Sequence, residues 1–316
     1  MRSSFFFRVL LHLYEKLNAD VKKIDMRHAE GHSSPFLDLL RSNRTAEVGA
    51  TICAWSDLLG FAKPFIDSGW SPNEAQWRAL TARIDRAYRL HLQNLSPNEF
   101  ILLLNDGAVR TMMLDQMSSR IGLMAFWMRH VVKAHFEVND SEHQLGLPGA
   151  RTVVAVGVRA SYTFPEVKLQ DLFYHATRRD NPAFRAGPYS TLLVANPDPL
   201  QLNTAFSKAY LLDNYGSAKG ISGSGLFVEA SVLHALKSWS ADIPRLEFID
   251  ERRGDYWFYG VQDSSARPGG RSGLIGFLCE QPPIEVSEVL LSTNVHRVIR
   301  YFTDDEDWHE FSFDLT

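Results

Sequence analysis

Cysteine is scarce in this chain, with two in 316 residues. Cys53 and Cys279 lie far apart and Cys53 sits inside an apolar stretch, which argues against a disulfide framework and favours a reducing, cytoplasmic setting. Concentrated positive charge is missing too. The 33 Lys and Arg are offset by 37 Asp and Glu, for a formal net charge of -4 with no long basic run. Neutralising a phosphate backbone takes clustered cations, so nucleic acid is not the expected partner. No segment is long and apolar enough to span a bilayer, and no stable membrane insertion is expected. No Gly/Ser/Pro-rich linker, internal repeat or low-complexity tract divides the chain.

What is present is an ordinary globular composition, 45% hydrophobic and 22% charged, able to bury a sizeable core. Residues 1–45 are expected to form a helical extension and 46–316 the main domain with a C-terminal extension. "MRSSFFFRVLLHLYEKL" could pass for a signal peptide, but Arg8 and His12 break its apolar run and no small-residue cleavage site follows. Phe6, Val9, Leu10 and Leu13 fall at helical spacing, so an amphipathic helix packing on the domain or across an oligomer interface is expected. "SPFLDLL" reads as a helix start with Ser34 as cap and Pro35 in the first turn. "SPNEAQW" repeats this at Ser71 and Pro72, with Glu74 completing a capping box. Trp77, Leu80, Ile84 and Tyr88 would line the inner face of that second helix to about Leu92.

"FILLL" and "AVRTMML" flank Asn105-Asp106-Gly107, a hairpin signal of the type I′ kind in which both central residues take positive φ. A helix is expected in "MSSRIGLMAFWMRHVVKAHF", strands in "ARTVVAVGVRASYT" and "STLLVANP", and a helix in "LQLNTAFSKAYLLDNYG" closing at Gly216. Later strands are expected in "DYWFYGVQ" and "GLIGFLCE". This order predicts an α+β domain with a ferredoxin-like βαββαβ core, an antiparallel sheet with helices on one face, and extra C-terminal strands.

In such a sheet the end of "ATICAWSD" and the turn "NDG" reach one edge, making Asp57 and Asp106 neighbours. Adjacent carboxylates repel unless one is protonated or a cation joins them, and such oxygen donors suit Mg²⁺ or Mn²⁺. Two ions ~3.5–4 Å apart on shared carboxylates are a common device for in-line phosphoryl chemistry. Singly, an aspartate like Asp57 is more often a helix N-cap or turn residue, and one like Asp106 more often a type I′ turn former.

"WSDLLGF", "LLLNDGAV" and "LNTAFSKAY", in that order, resemble the class III nucleotidyl cyclases over roughly residues 46–280. The resemblance implies the catalytic domain of that family and a homodimer with two composite sites. Each site would hold two divalent ions, Mn²⁺ or Mg²⁺, on Asp57, Asp106 and the Leu58 backbone carbonyl. Phe61 would fall in the turn beneath the triphosphate. Asn203 matches the family's transition-state asparagine, but Ser207 replaces its arginine, and Lys208 is the substitute candidate. Arg159 matches a phosphate-binding arginine, and Arg271 falls where the family carries a triphosphate-binding lysine. Blander readings stand beside these: Asn203 as a helix cap, Arg159 as an ion pair, and Lys208 and Arg271 as solvated charges.

The purine-reading lysine and acidic residue of the family are replaced by Leu102 and Asn196. This is similar to the pyrimidine cyclases of bacterial Pycsar anti-phage systems. The implied reaction is conversion of UTP to cyclic UMP and pyrophosphate, by in-line attack of the ribose 3′-hydroxyl on the α-phosphorus. CTP is the alternative substrate, since the amide of Asn196 offers both an acceptor and donors to either pyrimidine edge, and a purine nucleotide is a further alternative. A cyclic-nucleotide-gated effector would then be an indirect, membrane-disrupting partner. A degenerate nucleotide-binding module, motivated by Ser207, is the non-enzymatic alternative. "HAEGH" at 28–32, "GISGSGLF" at 220–227 and "DDEDWHE" at 304–310 are read as a loop, a turn into a strand and a solvated tail.

Overall fold

The computed structural model describes residues 46–114, 120–162, 198–264, 272–303 and 312–314. The helices expected before residue 46, the strand "STLLVANP", and the candidates Asn196 and Arg271 lie outside them, as do "HAEGH" and "DDEDWHE".

The chain enters on β1 (Ala46–Leu58), passes a short α1 (Lys63–Asp67) and α2 (Glu74–Gln93), and forms the hairpin β2 (Phe100–Leu104) and β3 (Gly107–Met113). It continues through α3 (Arg120–Gln144) to β4 (Ala150–Tyr162). These four strands pair antiparallel in the order β2-β3-β1-β4, the arrangement of a βαββαβ core. α4 (Thr204–Tyr215) then leads to β5 (Gly225–Glu229), which pairs parallel with β4, and to α5 (Ala230–Ala241). The same sheet is extended by β6 (Leu246–Arg253), β7 (Tyr256–Asp263), β8 (Ser272–Cys279) and β10 (Ser292–Thr303). β9 (Ile284–Ser287) and β11 (Ser312–Asp314) pair with β10.

Helices cover both faces of this sheet, where one face was expected, and the β4–β5 pair departs from a wholly antiparallel sheet. The reason lies in β1, whose apolar residues fall on both parities. Ile52 and Ala54 pack with Met112, Val154 and Val156 against α3 and α5. Cys53 and Trp55 pack with Val109, Val153 and Ala155 against α4. A strand apolar on both faces must be covered on both. A parallel neighbour also requires a crossover, and α4 lies in the one that joins β4 to β5.

Three local expectations shift. The capping box of α2 is built by Asn73 and Gln76, not by Ser71 and Glu74: Asn73 Oδ1 accepts from the Gln76 amide and Gln76 Oε1 from the Asn73 amide. The residues before it are used in turning, because the Trp70 amide donates to the Phe65 carbonyl at 2.7 Å and the Trp70 ring stacks on Phe65. The buried face of α2 is Leu80, Arg83, Ala87 and His91, while Trp77 meets Phe65 edge-on near the surface. In the hairpin only Asn105 of the two loop residues takes positive φ, 51°, so the turn is not type I′.

α4 lies close on β4. A Cβ at Gly157 would sit 2.3 Å from Thr204 Oγ1 and 2.6 Å from the Ala205 nitrogen, so only glycine permits this approach. Both cysteines are free and buried. Among the described residues no helix is long and apolar enough to cross a membrane.

Candidate functional site

Asp57 stands one residue from the end of β1, opposite Gly107 on β3 and opposite Arg151 on β4. Asp106 occupies the hairpin loop, and the Leu58 amide donates to its carbonyl at 3.1 Å. The turn is held from outside by the Tyr88 hydroxyl, which donates to the Asn105 carbonyl at 2.7 Å. Gly107 must be glycine, because a Cβ there would meet the Trp55 ring at 2.8 Å. The two carboxylates thus reach one edge through strand register and a two-residue loop.

The electrostatics at this edge are strained. Burial pushes the Asp57 carboxyl up from 3.8 to about 7, the charges of Asp213 and Asp106 push the same way, and Arg151 and Arg83 oppose them. Among the described residues no hydrogen bond or ion pair holds the Asp57 carboxylate. A cavity of about 10 Å³, room for a single water or ion, is lined by Asp57, Leu58, Tyr88, His91 and Asp106 among others. His91 there has a buried Nδ1 with no hydrogen-bond partner among the described residues, and burial lowers the pKa of the ring to about 3, keeping it neutral. Hard oxygen donors, a carboxylate repulsion that Arg151 and Arg83 only partly offset, and an ion-sized space fit a divalent cation. Among the described residues no group of three or more His, Cys, Asp or Glu side chains has metal-binding geometry, so carbonyls, water or substrate oxygens would complete the shell. The Leu58 carbonyl faces the turn, where the Phe61 amide approaches it at 3.4 Å.

The remaining candidates lie elsewhere. Arg159 pairs in register with Gly49, eight residues along β1 from Asp57, or about 26 Å at ~3.3 Å per residue. It borders a second cavity of about 300 Å³ with Thr51, Glu99, Phe100, Thr111 and Met112. Asn203 bridges to Arg159 and is 2% exposed. Its Oδ1 caps α4 by accepting from the Phe206 amide, and its Nδ2 donates to Thr111 Oγ1 and the Pro199 carbonyl. Ser207 donates to the Asn203 carbonyl. Lys208 is half-way along the sheet, reaching the Val156 carbonyl at 3.3 Å and Glu229 at 3.4 Å. Phe61 is 2% exposed in a core with Leu58, Leu80 and Val138, beneath the Arg83 guanidinium. Leu102 packs on the apolar cluster around Cys53 and Trp55. Asp57, Leu58 and Asp106 are therefore brought together, while Arg159 and Asn203 form a separate group.

Sequence reasoning missed a charged network beside Asp57. Arg151 Nε donates to Asp213 Oδ1 at 2.6 Å, Nη2 to the Asp213 carbonyl at 2.9 Å, and Nη1 to the Ile221 carbonyl at 3.0 Å. Trp55 Nε1 donates to Asp213 Oδ2 at 3.0 Å. A signal existed: Asp213 continues the four-residue steps of Ala205 and Ala209 on the buried face of α4, where a carboxylate needs a partner. Arg83 was also missed, and it pairs inside the molecule with Glu142 of α3 at 2.8 Å while capping the Leu59 carbonyl.

No family model and no curated protein matches the sequence significantly. Solved structures do align. The guanylyl cyclase Cya2 is 12% identical, with 86% of this chain and 100% of that one covered, at a TM-score of 0.40. The adenylyl cyclase CyaB from P. aeruginosa is 11% identical over 80% of this chain and 95% of that one, at 0.39. A dimeric guanylyl cyclase domain from the aquatic fungus Blastocladiella emersonii is 10% identical over 69% and 96%, at 0.36. Identities this low and scores below 0.5 leave the chemistry to be argued from the residues.

Proposed function

We propose that this protein is a nucleotidyl cyclase, acting on UTP to form cyclic UMP and pyrophosphate as a signal in anti-phage defence. The observation that carries the reading is the meeting of Asp57 and Asp106 at the β1–β3 edge, with the Asp57 carboxyl raised to about 7 and unpartnered among the described residues. Asp57, Asp106 and the Leu58 carbonyl would hold two divalent ions, Mg²⁺ or Mn²⁺. When bound, such ions neutralise phosphate charge and acidify a coordinated hydroxyl. The chain's own part is to keep both carboxylates at the lip of the sheet, to hold the turn rigid through Tyr88 and Trp55, and to restrict water to a small space around them.

Asp57 and Arg159 are about 26 Å apart along one strand pair, too far to grip one triphosphate from a single chain. If both serve the same substrate, Arg159 comes from a second copy, which favours a homodimer with two composite sites. The cavity beside Arg159, about 300 Å³, is at the lower end of small-molecule sites and adequate for a nucleoside. Asn203 then acts through position: its cap fixes the start of α4 next to Arg159. Leu102, packed into the apolar cluster, offers no charge to a purine, which favours a pyrimidine, with CTP as the alternative. Asn196 remains the proposed base-reading amide and Arg271 a triphosphate contact. Lys208, tied to Glu229, would have to release that partner to act as the catalytic cation.

Purified protein incubated with each ribonucleoside triphosphate and Mn²⁺, with products identified by mass, tests the reading. Cyclic UMP is expected, and Asp57→Ala or Asp106→Ala should abolish it. No cyclic product from any nucleotide would refute the enzyme. Cyclic AMP as the main product would refute the argument from Leu102.

A further inference from the structure

Asp57 faces an arginine that does not pair with it. Directly opposed residues of antiparallel strands point to the same face with Cβ atoms about 5 Å apart, so Arg151 is the natural salt-bridge partner of Asp57. Its guanidinium is turned away instead. All three of its nitrogens are engaged by the end of α4 and the turn after it, through Asp213 Oδ1 and the carbonyls of Asp213 and Ile221. The Asp213 carboxylate is in turn fixed by the Trp55 indole, which stands two residues before Asp57 on the same face.

We infer that Asp213 is a positioning residue for the proposed metal site: it sequesters Arg151, so that the Asp57 carboxylate is left for a cation. The inference rests on the reading of Asp57 and Asp106 as cation ligands. Without Asp213, the guanidinium loses its charged partner in a buried setting and turns to the carboxylate opposite it in the strand pair, Asp57. A fork-like ion pair would then occupy the oxygens a cation needs. Both Asp213 oxygens are engaged, Oδ1 by Arg151 and Oδ2 by the Trp55 indole, so this third carboxylate serves the edge by holding a competing cation. Gly216 supports the clamp, because its φ of 47° turns the chain around the guanidinium, and a Cβ there would lie 3.4 Å from Arg151 Nη1.

The test is Mn²⁺ binding to the purified protein without nucleotide, read from the electron paramagnetic resonance signal of free Mn²⁺. Asp213→Asn should weaken binding at least tenfold, and adding Arg151→Gln to it should restore affinity to within about threefold of wild type. A purely structural role predicts no such rescue, since the second change removes a further set of hydrogen bonds. Wild-type affinity in Asp213→Asn, or no recovery in the double variant, would overturn the inference while leaving the metal site standing. Wild-type protein that binds no Mn²⁺ would overturn the metal reading and this one with it. Should Asp213→Asn not fold, Trp55→Phe carries the test: it loosens Asp213 while keeping every charge, weaker Mn²⁺ binding is expected, and unchanged binding would refute the clamp.

Discussion

Replacing Asp57 by Asn should stabilise the metal-free protein, and more at pH 8 than at pH 5. In the folded chain the carboxyl titrates near 7, and its ordinary value is 3.8. The unfolded chain therefore ionises this group first as pH rises. The fold's advantage from a neutral Asp57 is complete below 3.8 and is lost progressively up to about 7. At about 1.4 kcal/mol per pH unit the full span is about 4 kcal/mol. Asp57 is only partly buried, so solvent screening reduces this to about 2 kcal/mol. Asparagine has nearly the same shape and no titration. The assay is urea unfolding of both proteins in EDTA at pH 5 and pH 8. The stability difference between them should grow by about 1–2 kcal/mol across that interval. Added Mn²⁺ should reverse the order by stabilising wild type alone, by about 2.7 kcal/mol at a hundredfold excess over its dissociation constant. A pH-independent difference would show that the Asp57 carboxyl is not desolvated and that repulsion at the β1–β3 edge is weak.

Two further outcomes follow from the core. Gly157→Ala forces a methyl group into Thr204 Oγ1 and the Ala205 nitrogen, so it should cost about 1–3 kcal/mol in urea unfolding, and a neutral result would mean α4 does not seat on β4 as described. His135 is wholly buried, its Nδ1 bonds Thr152 Oγ1 at 2.9 Å, and burial lowers its pKa from 6.5 to about 3. Its contribution is present above pH 6.5 and is lost as pH falls toward 3, so His135→Gln should flatten the acid limb of the stability profile between pH 6 and 4. An unchanged acid limb would refute a buried neutral imidazole at that position.

Much of this protein is legible along the chain because the relevant physics is local. The apolar runs "ATICAWSDL", "FILLL" and "AVGVRASY" mark strands, and Asn-Asp-Gly marks the hairpin. Asn203 and Gly216 bound α4 at both ends. From the order of these elements came the β2-β3-β1-β4 core and, with it, the meeting of Asp57 and Asp106. Other features needed the assembled molecule. The shift of the α2 cap to Asn73 depends on Trp70 stacking on Phe65, and the burial of Arg83 depends on Glu142, 59 residues away. That Arg159 and Asn203 stand apart from the carboxylates is a matter of register over thirteen paired residues, from Ala46–Tyr162 to Leu58–Ala150.

By itself, then, the sequence determined the elements, their order and the two carboxylates at one edge, because periodicity, capping and turn chemistry act between near neighbours. Only the tertiary structure decided which charges those carboxylates face. Asp57 opposes Arg151 through strand pairing, and Arg151 is held by Asp213 through helix packing. Strand register and the docking of α4 follow from burial summed over both faces of the sheet, which no local stretch contains.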